Sequence, residues 1–335
     1  MNSEGRSTLW LNLRRWLPGL IVSAVALWLV LRTVSWKDFG QALATMSLGT
    51  LGLAIVIYLV SMVVRATCWH TILQRKVPLK RAFFVMNEGY MLNNIFPLRL
   101  GEIGRAVILG NSSGIGILPV FSTIVVERSY DLVIASSLLL STLPMALAMD
   151  WARPVAATIL GLVTGALILL FIMARNKTRV ISWLERLPIH WGFYVNWIVP
   201  KFGSILDGFS VLNRPRFFII SFLLMLTSWS LAILEDFVLL RNVVPGAQFW
   251  WVVFVMGAAT IGAGLPSVAA AIGVFEAAVV GTLSLVGVSS SEALVFALIV
   301  HAIQFIFSTL IGVIGLVMEG ENFSSLYTKL VLKRE

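Results

Sequence analysis

One cysteine and three histidines stand among the 335 residues. Cys68 alone can form no intramolecular disulfide and no cysteine-based metal site. His70, His190 and His301 are too scattered for metal-ligand spacing, so we expect no metal and no other cofactor. The glycine-rich run at 110–116 lacks the Gly-Lys-Ser/Thr that a phosphate loop requires, and neither a serine-nucleophile motif nor a metal-binding helix is present. Charge is also scarce: 12% of residues are charged and 59% are hydrophobic. That balance excludes an ordinary soluble protein. The net charge of +9 does not point to nucleic acid either, because the cations lie in the gaps between apolar runs and form no basic face.

Apolar runs of about 20 residues recur along the chain, the length a helix needs to cross a bilayer. The pattern predicts an all-α polytopic membrane protein with one membrane domain over residues 1–335. Six full transmembrane helices are expected at 17–33, 48–72, 117–147, 154–174, 217–240 and 292–317. Arg14 and Arg15 before the first run resemble a signal peptide, but Ala42-Leu43-Ala44 is too far from that run to be its cleavage site, so the helix is read as retained. Residues 82–110 and 249–288 hold apolar pieces too short to span separately, broken at Pro97 and at 262–266. They read as two broken or re-entrant helical hairpins. Gly161 and Gly165 form a small-xxx-small pair suited to close helix packing. In the polar segment 175–216, Trp183, Trp191 and Trp197 alternate with Arg179, Arg186 and Lys201, the mark of surface-lying amphipathic helices.

With the N-terminus in the cytoplasm, seventeen of the 25 Lys and Arg residues fall in cytoplasmic segments and four on the opposite side. That bias places both termini inside. The two hairpins then enter from opposite faces, as an inverted repeat around a midplane site would arrange them.

Residues 87–105 carry Glu88, Asn93, Asn94, Arg99, Glu102 and Arg105 between apolar segments. Ionisable groups and broken backbone at membrane depth are costly unless buried in protein or lining a wet cavity. A half-helix over 101–109 would present a positive N-terminal end, and with Arg99 and Arg105 it suits a phosphate or other anionic head group. The competing reading pairs both arginines with Glu102, Glu127 or Asp131. Glu127, Arg128 and Asp131 lie about 15–20 Å along the third span, near the bilayer centre. They form either a structural ion pair joining helices or the polar wall of a translocation path or proton relay. Glu276 is the corresponding charge of the second hairpin, expected to be buried and to partner an arginine of the first. Glu235 and Asp236, toward the outer end of the fifth span, are read either as satisfied by a water-filled vestibule or Arg241, or as lying at the membrane interface. His301, Gln304 and Ser308 read as helix-to-helix hydrogen bonding.

Three stretches carry a resemblance: Asn93-Asn94-Ile95-Phe96-Pro97-Leu98-Arg99-Leu100-Gly101-Glu102, Val126-Glu127-Arg128-Ser129-Tyr130-Asp131, and Leu265-Pro266 through Gly273-Val274-Phe275-Glu276. Together they resemble the signature regions of the lysylphosphatidylglycerol synthase transmembrane-region family over about residues 15–320. The resemblance implies a flippase-like protein of a bacterial or archaeal cytoplasmic membrane that moves a lipid or lipid-linked head group between leaflets. Some relatives carry a fused soluble aminoacyl-transferring domain. With the chain ending at Glu335, we expect no such domain and no synthase activity. The expected partner is a membrane lipid with an anionic head group. Its binding residues would be Asn93, Asn94, Arg99, Glu102, Arg105, Glu127, Arg128, Asp131 and Glu276. The alternatives are an intramembrane lipid-modifying transferase using Glu127 or Asp131 as general base, and a proton-coupled carrier of a small solute. Where the family has a Pro-Gly-Gly-like run, this chain has Ala269-Ala270-Ala271. Alanine disfavours positive φ, so the second break is expected to be confined to 262–266.

Overall fold

The computed structural model describes residues 24–96, 100–147, 152–186, 214–262 and 269–318, together with 203 and 206. Twelve α-helices cover most of them. We number them α1 (Ala24–Thr33), α2 (Trp36–Ala44), α3 (Leu48–Ile72), α4 (Leu79–Ile95), α5 (Leu100–Ser113) and α6 (Ile117–Leu147) in the first part of the chain. The rest are α7 (Ala152–Arg175), α8 (Lys177–Glu185), α9 (Pro215–Val243), α10 (Phe249–Gly262), α11 (Val274–Leu285) and α12 (Ser290–Met318). No strand occurs among the described residues. Helices α3, α9 and α12 are long and apolar enough to cross a membrane. Their outer faces bear Leu48, Val56, Leu223, Leu310 and Val317, all exposed. Such a continuous apolar surface belongs in lipid rather than water.

Helices α4 and α5 occupy the first expected hairpin. Helix α4 stops at Ile95, with Phe96 already extended at φ −105° and ψ 141°, because a residue before proline is held out of the helical region. Asn93 meets Gly101, and Gly89 meets Arg105, so the two helices run antiparallel. They can do so because both glycines lack a Cβ: one at Gly101 would collide with the Gly89 carbonyl.

The second pair, α10 and α11, is broken more extensively than expected. Ala270 and Ala271 both lie at φ +56°, followed by Gly273 at φ +85°. The break therefore reaches Gly273 and is not confined to 262–266. The break ends where the Gly273 N–H donates to Glu276 Oε2 at 2.6 Å, capping the start of α11. Residues 263–268, with Pro266, lie outside the described residues, as do residues 97–99.

Span, helical pair and span occur twice, as α3 to α6 and as α9 to α12. The packing repeats with the order. Helix α4 packs on α12 and α10 packs on α6; α5 packs on α6 and α11 on α12; α3 touches α6 and α9 touches α12. Exchanging the two halves turns each of these contacts into its partner. The shared axis passes between α3 and α9, which run antiparallel. Ser47 N–H donates to Asn242 at 3.1 Å, Ser61 Oγ to the Ser228 carbonyl at 3.1 Å, and Cys68 Sγ to the Ser221 carbonyl at 3.2 Å.

Two local features depart from the sequence reading. Helix α2 was not expected. It is capped by Ser35, whose Oγ accepts from the Asp38 N–H at 3.5 Å, and it packs on α12. Gly161 and Gly165 have no atom of the described residues within 4 Å of where a Cβ would stand. The close helix contacts are made instead at Gly257, against the Leu139 backbone, and at Gly312 and Gly315, against Asn87 and Glu88.

Candidate functional site

Six charged side chains converge from three helices of the first half. Helix α3 brings Arg65, α5 brings Glu102 and Arg105, and α6 brings Glu127, Arg128 and Asp131. Glu127 and Asp131 share a face of α6, one turn apart. They lie about 15 and 21 Å from its first residue, within a helix about 46 Å long. Three cations meet three anions, which is the condition for holding charge at that depth.

The cluster has a closed side and an open side. On the closed side, Arg105 Nη2 donates to Glu127 Oε2 at 2.7 Å, with 1% and 0% of the two side chains exposed. The Arg105 guanidinium also lies over the Trp69 ring, 4.0 Å from its centre. Trp69 is fixed in turn by its Nε1–H, which donates to Thr123 Oγ1 at 3.1 Å. Asp131 accepts from Arg65, from Arg128 Nη1 at 3.0 Å and from Trp229 Nε1 of α9 at 3.0 Å. On the open side stand Arg128, Arg65 and Glu102, with 31%, 19% and 16% of their side chains exposed. Arg128 Nε and Glu102 Oε1 are 3.7 Å apart, beyond hydrogen-bond range. Neither Arg128 Nε nor Glu102 Oε2 has a hydrogen-bond partner among the described residues.

This arrangement separates the residues that the sequence grouped together. Arg105 is sealed against Glu127 and Trp69, as the pairing alternative had it, and is not open to a ligand. Asn93 Oδ1 accepts the Gly101 N–H at 2.7 Å, capping the start of α5 that was expected to face an anion. Asn94 Nδ2 donates to Ser308 Oγ at 3.0 Å and Thr309 Oγ1 at 2.9 Å, tying α4 to α12. Arg99 lies outside the described residues. Glu276 is buried as expected, and among the described residues its charged partner is His301 and not Arg105. Glu276 Oε1 meets His301 Nδ1 at 2.6 Å, because α11 packs on α12 and not on the arginine-bearing α5 or α6. Glu235 and Asp236 are both buried. No described residue bonds Glu235 Oε1, so Arg241 does not satisfy that atom.

Of the stripe on α12, His301 meets Glu276 and Ser308 accepts from Asn94, joining helices as read, whereas at Gln304 it is the backbone carbonyl that accepts from Tyr58, at 3.3 Å. Sequence reasoning missed Arg65, Trp69 and Trp229 as members of the site. Arg65 was legible as a lone charge inside an apolar run. Nothing in the pattern could link it to α6.

A family model, Lysylphosphatidylglycerol synthase TM region, matches residues 16–312. The chain belongs to this family. The match takes in the ion cluster, the Glu276–His301 pair and both halves of the packing repeat. It makes the protein a multi-pass membrane protein of a family concerned with lipid. No curated protein matches the chain.

Proposed function

We propose that the protein is a lipid flippase or transporter that passes an anionic head group between leaflets along the open side of the ion cluster. The observation that carries this reading is the unequal cluster: Arg105 and Glu127 are locked, while Arg128 and Glu102 are 3.7 Å apart and partly exposed. A phosphate reaching Arg128 replaces its loosest partner, Glu102, with a charge-assisted contact. Asp131 and Glu127 hold the guanidinium in place. In this reading Arg99, which lies outside the described residues, supplies a second phosphate contact. Asn93, Asn94 and Arg105 position the elements, and the acyl chains stay in the bilayer. The reading includes six full spans with two re-entrant hairpins of opposite orientation. It sets the protein in a bacterial or archaeal cytoplasmic membrane with both termini in the cytoplasm.

The protein acts as a transporter in this reading and not as an enzyme. Purified protein in vesicles containing tail-labelled phosphatidylglycerol should exchange the label between leaflets and return the lipid chemically unchanged by mass spectrometry. A modified lipid would favour an intramembrane transferase built on Glu127 or Asp131, and labelled lipid confined to its original leaflet would overturn the reading.

A further inference from the structure

The two halves carry unlike charge at like places. Glu102 is the third residue of α5 and Glu276 the third of α11; Arg128 stands eleven residues after the start of α6 and His301 eleven after the start of α12. The Glu276–His301 pair thus occupies in the second half the place that Glu102–Arg128 occupies in the first. The difference in chemistry is that a guanidinium, which keeps its proton, is replaced by an imidazole, which can exist with or without one. The second pair is also closer, 2.6 Å against 3.7 Å. Its carboxylate additionally holds the Gly273 N–H, at the end of a turn with two alanines at positive φ.

We propose that Glu276 and His301 form a proton-binding site, and that a proton taken up there moves the second helical pair as lipid passes the first. This rests on the lipid-moving reading above. With His301 neutral, the pair carries one net negative charge. One proton from the aqueous phase, added to the imidazole, makes it an imidazolium-carboxylate pair of no net charge, and the same proton leaves to the other side when the pair reopens.

The surroundings leave this pair free to respond. Phe275 meets the His301 ring edge-on at 5.1 Å. Helix α3 brings Tyr58 to the Gln304 carbonyl, one turn away. Helix α4 brings Asn94 to Ser308 and Glu88 to Gly315, two and four turns along. Lys37 and Asp38 of α2 are exposed. Helix α9 adds the buried acids Glu235 and Asp236. Among the contacts of the described residues, Glu276 is the charged partner of His301.

The test uses full-length protein in phosphatidylglycerol vesicles loaded with a pH-reporting dye. Leaflet exchange of tail-labelled phosphatidylglycerol is measured with and without an imposed pH gradient. A gradient of about one unit is worth a factor of about ten for each coupled proton. Wild-type exchange should therefore differ by up to that factor between the two gradient directions, with proton movement accompanying it. His301→Arg reproduces the fixed charge of the first half and keeps the bond to Glu276; it should exchange lipid at one rate whatever the gradient. His301→Gln, which keeps a donor but cannot titrate, should behave the same and serves if the arginine variant does not fold. Exchange by wild type that ignores the gradient, or a His301→Arg variant as gradient-sensitive as wild type, overturns the proton site while leaving the flippase reading intact. Absence of any wild-type exchange overturns both.

Discussion

Glu127 is the residue on which the buried side of the cluster depends. It is fully buried and receives Arg105, which is itself sealed from solvent. Replacing it with Gln leaves Arg105 as a buried charge without a carboxylate, a change that costs about 3–5 kcal/mol. Glu127→Gln should accordingly lower the thermal midpoint in detergent far more than Glu102→Gln, whose partner is partly exposed and 3.7 Å away. Equal midpoints for the two variants would contradict the division into a closed and an open side. The two left-handed alanines give a prediction of opposite sign. Each L-residue in that conformation costs about 1–2 kcal/mol relative to glycine's freedom, so Ala270→Gly and Ala271→Gly should each raise the midpoint. A lower midpoint would show that the methyl groups pack well enough to offset the strain.

At the scale of elements, close approach between helices is concentrated at a few glycines. A Cβ at Gly312 would stand 2.7 Å from the Asn87 carbonyl oxygen, and at Gly315 2.6 Å from Glu88 Oε1. Gly315→Leu should therefore separate α12 from α4 and reduce the yield of folded protein, whereas Gly161→Leu, on an open face of α7, should be tolerated. Size-exclusion profiles of the two variants check this, and a well-folded Gly315→Leu would contradict it. Much of this level was legible in the sequence. The spans at α3, α9 and α12 follow from their long apolar runs, and the end of α4 follows from Pro97. Helix α2 was not legible, because nine residues with Trp36, Lys37 and Asp38 look like a polar connection until Ser35 is seen to cap them. The extent of the second break was hidden for a related reason. Local propensity argues for helix at three alanines, yet two of them lie at positive φ just before the capped start of α11. Pairings between distant helices, such as Arg65 with Asp131 or Glu276 with His301, depend on packing that no local pattern encodes.

For the whole molecule, the paired contacts of α3 to α6 and α9 to α12 describe two halves related by exchange. Antiparallel α3 and α9 make those halves inverted. In the proposed topology the α5–α6 connection lies in the cytoplasm, and the α9–α10 and α11–α12 connections lie outside. Single cysteines at Gly114, Gly246 and Gly287 in a Cys68→Ala background should then label from the cytoplasmic side for the first and from the outer side for the other two. Labelling of Gly114 and Gly246 positions from the same side would contradict opposite entry. Within this frame the halves differ: three arginines gather in the first, and the Glu276–His301 pair sits in the second.

The claim on which the account rests is that the head group meets Arg128 at the open edge of the cluster. Arg128→Gln leaves Glu127 with Arg105 and Asp131 with Arg65 and Trp229, so the fold should survive. The variant gives up one charge-assisted contact, worth about 1.5–3 kcal/mol. The direct measurement is the leaflet-exchange rate of tail-labelled phosphatidylglycerol in vesicles, Arg128→Gln against wild type at matched protein content. The account predicts a loss of about ten- to a hundredfold, with the thermal midpoint lowered less than by Glu127→Gln; a folded Arg128→Gln that exchanges lipid at the wild-type rate would contradict it.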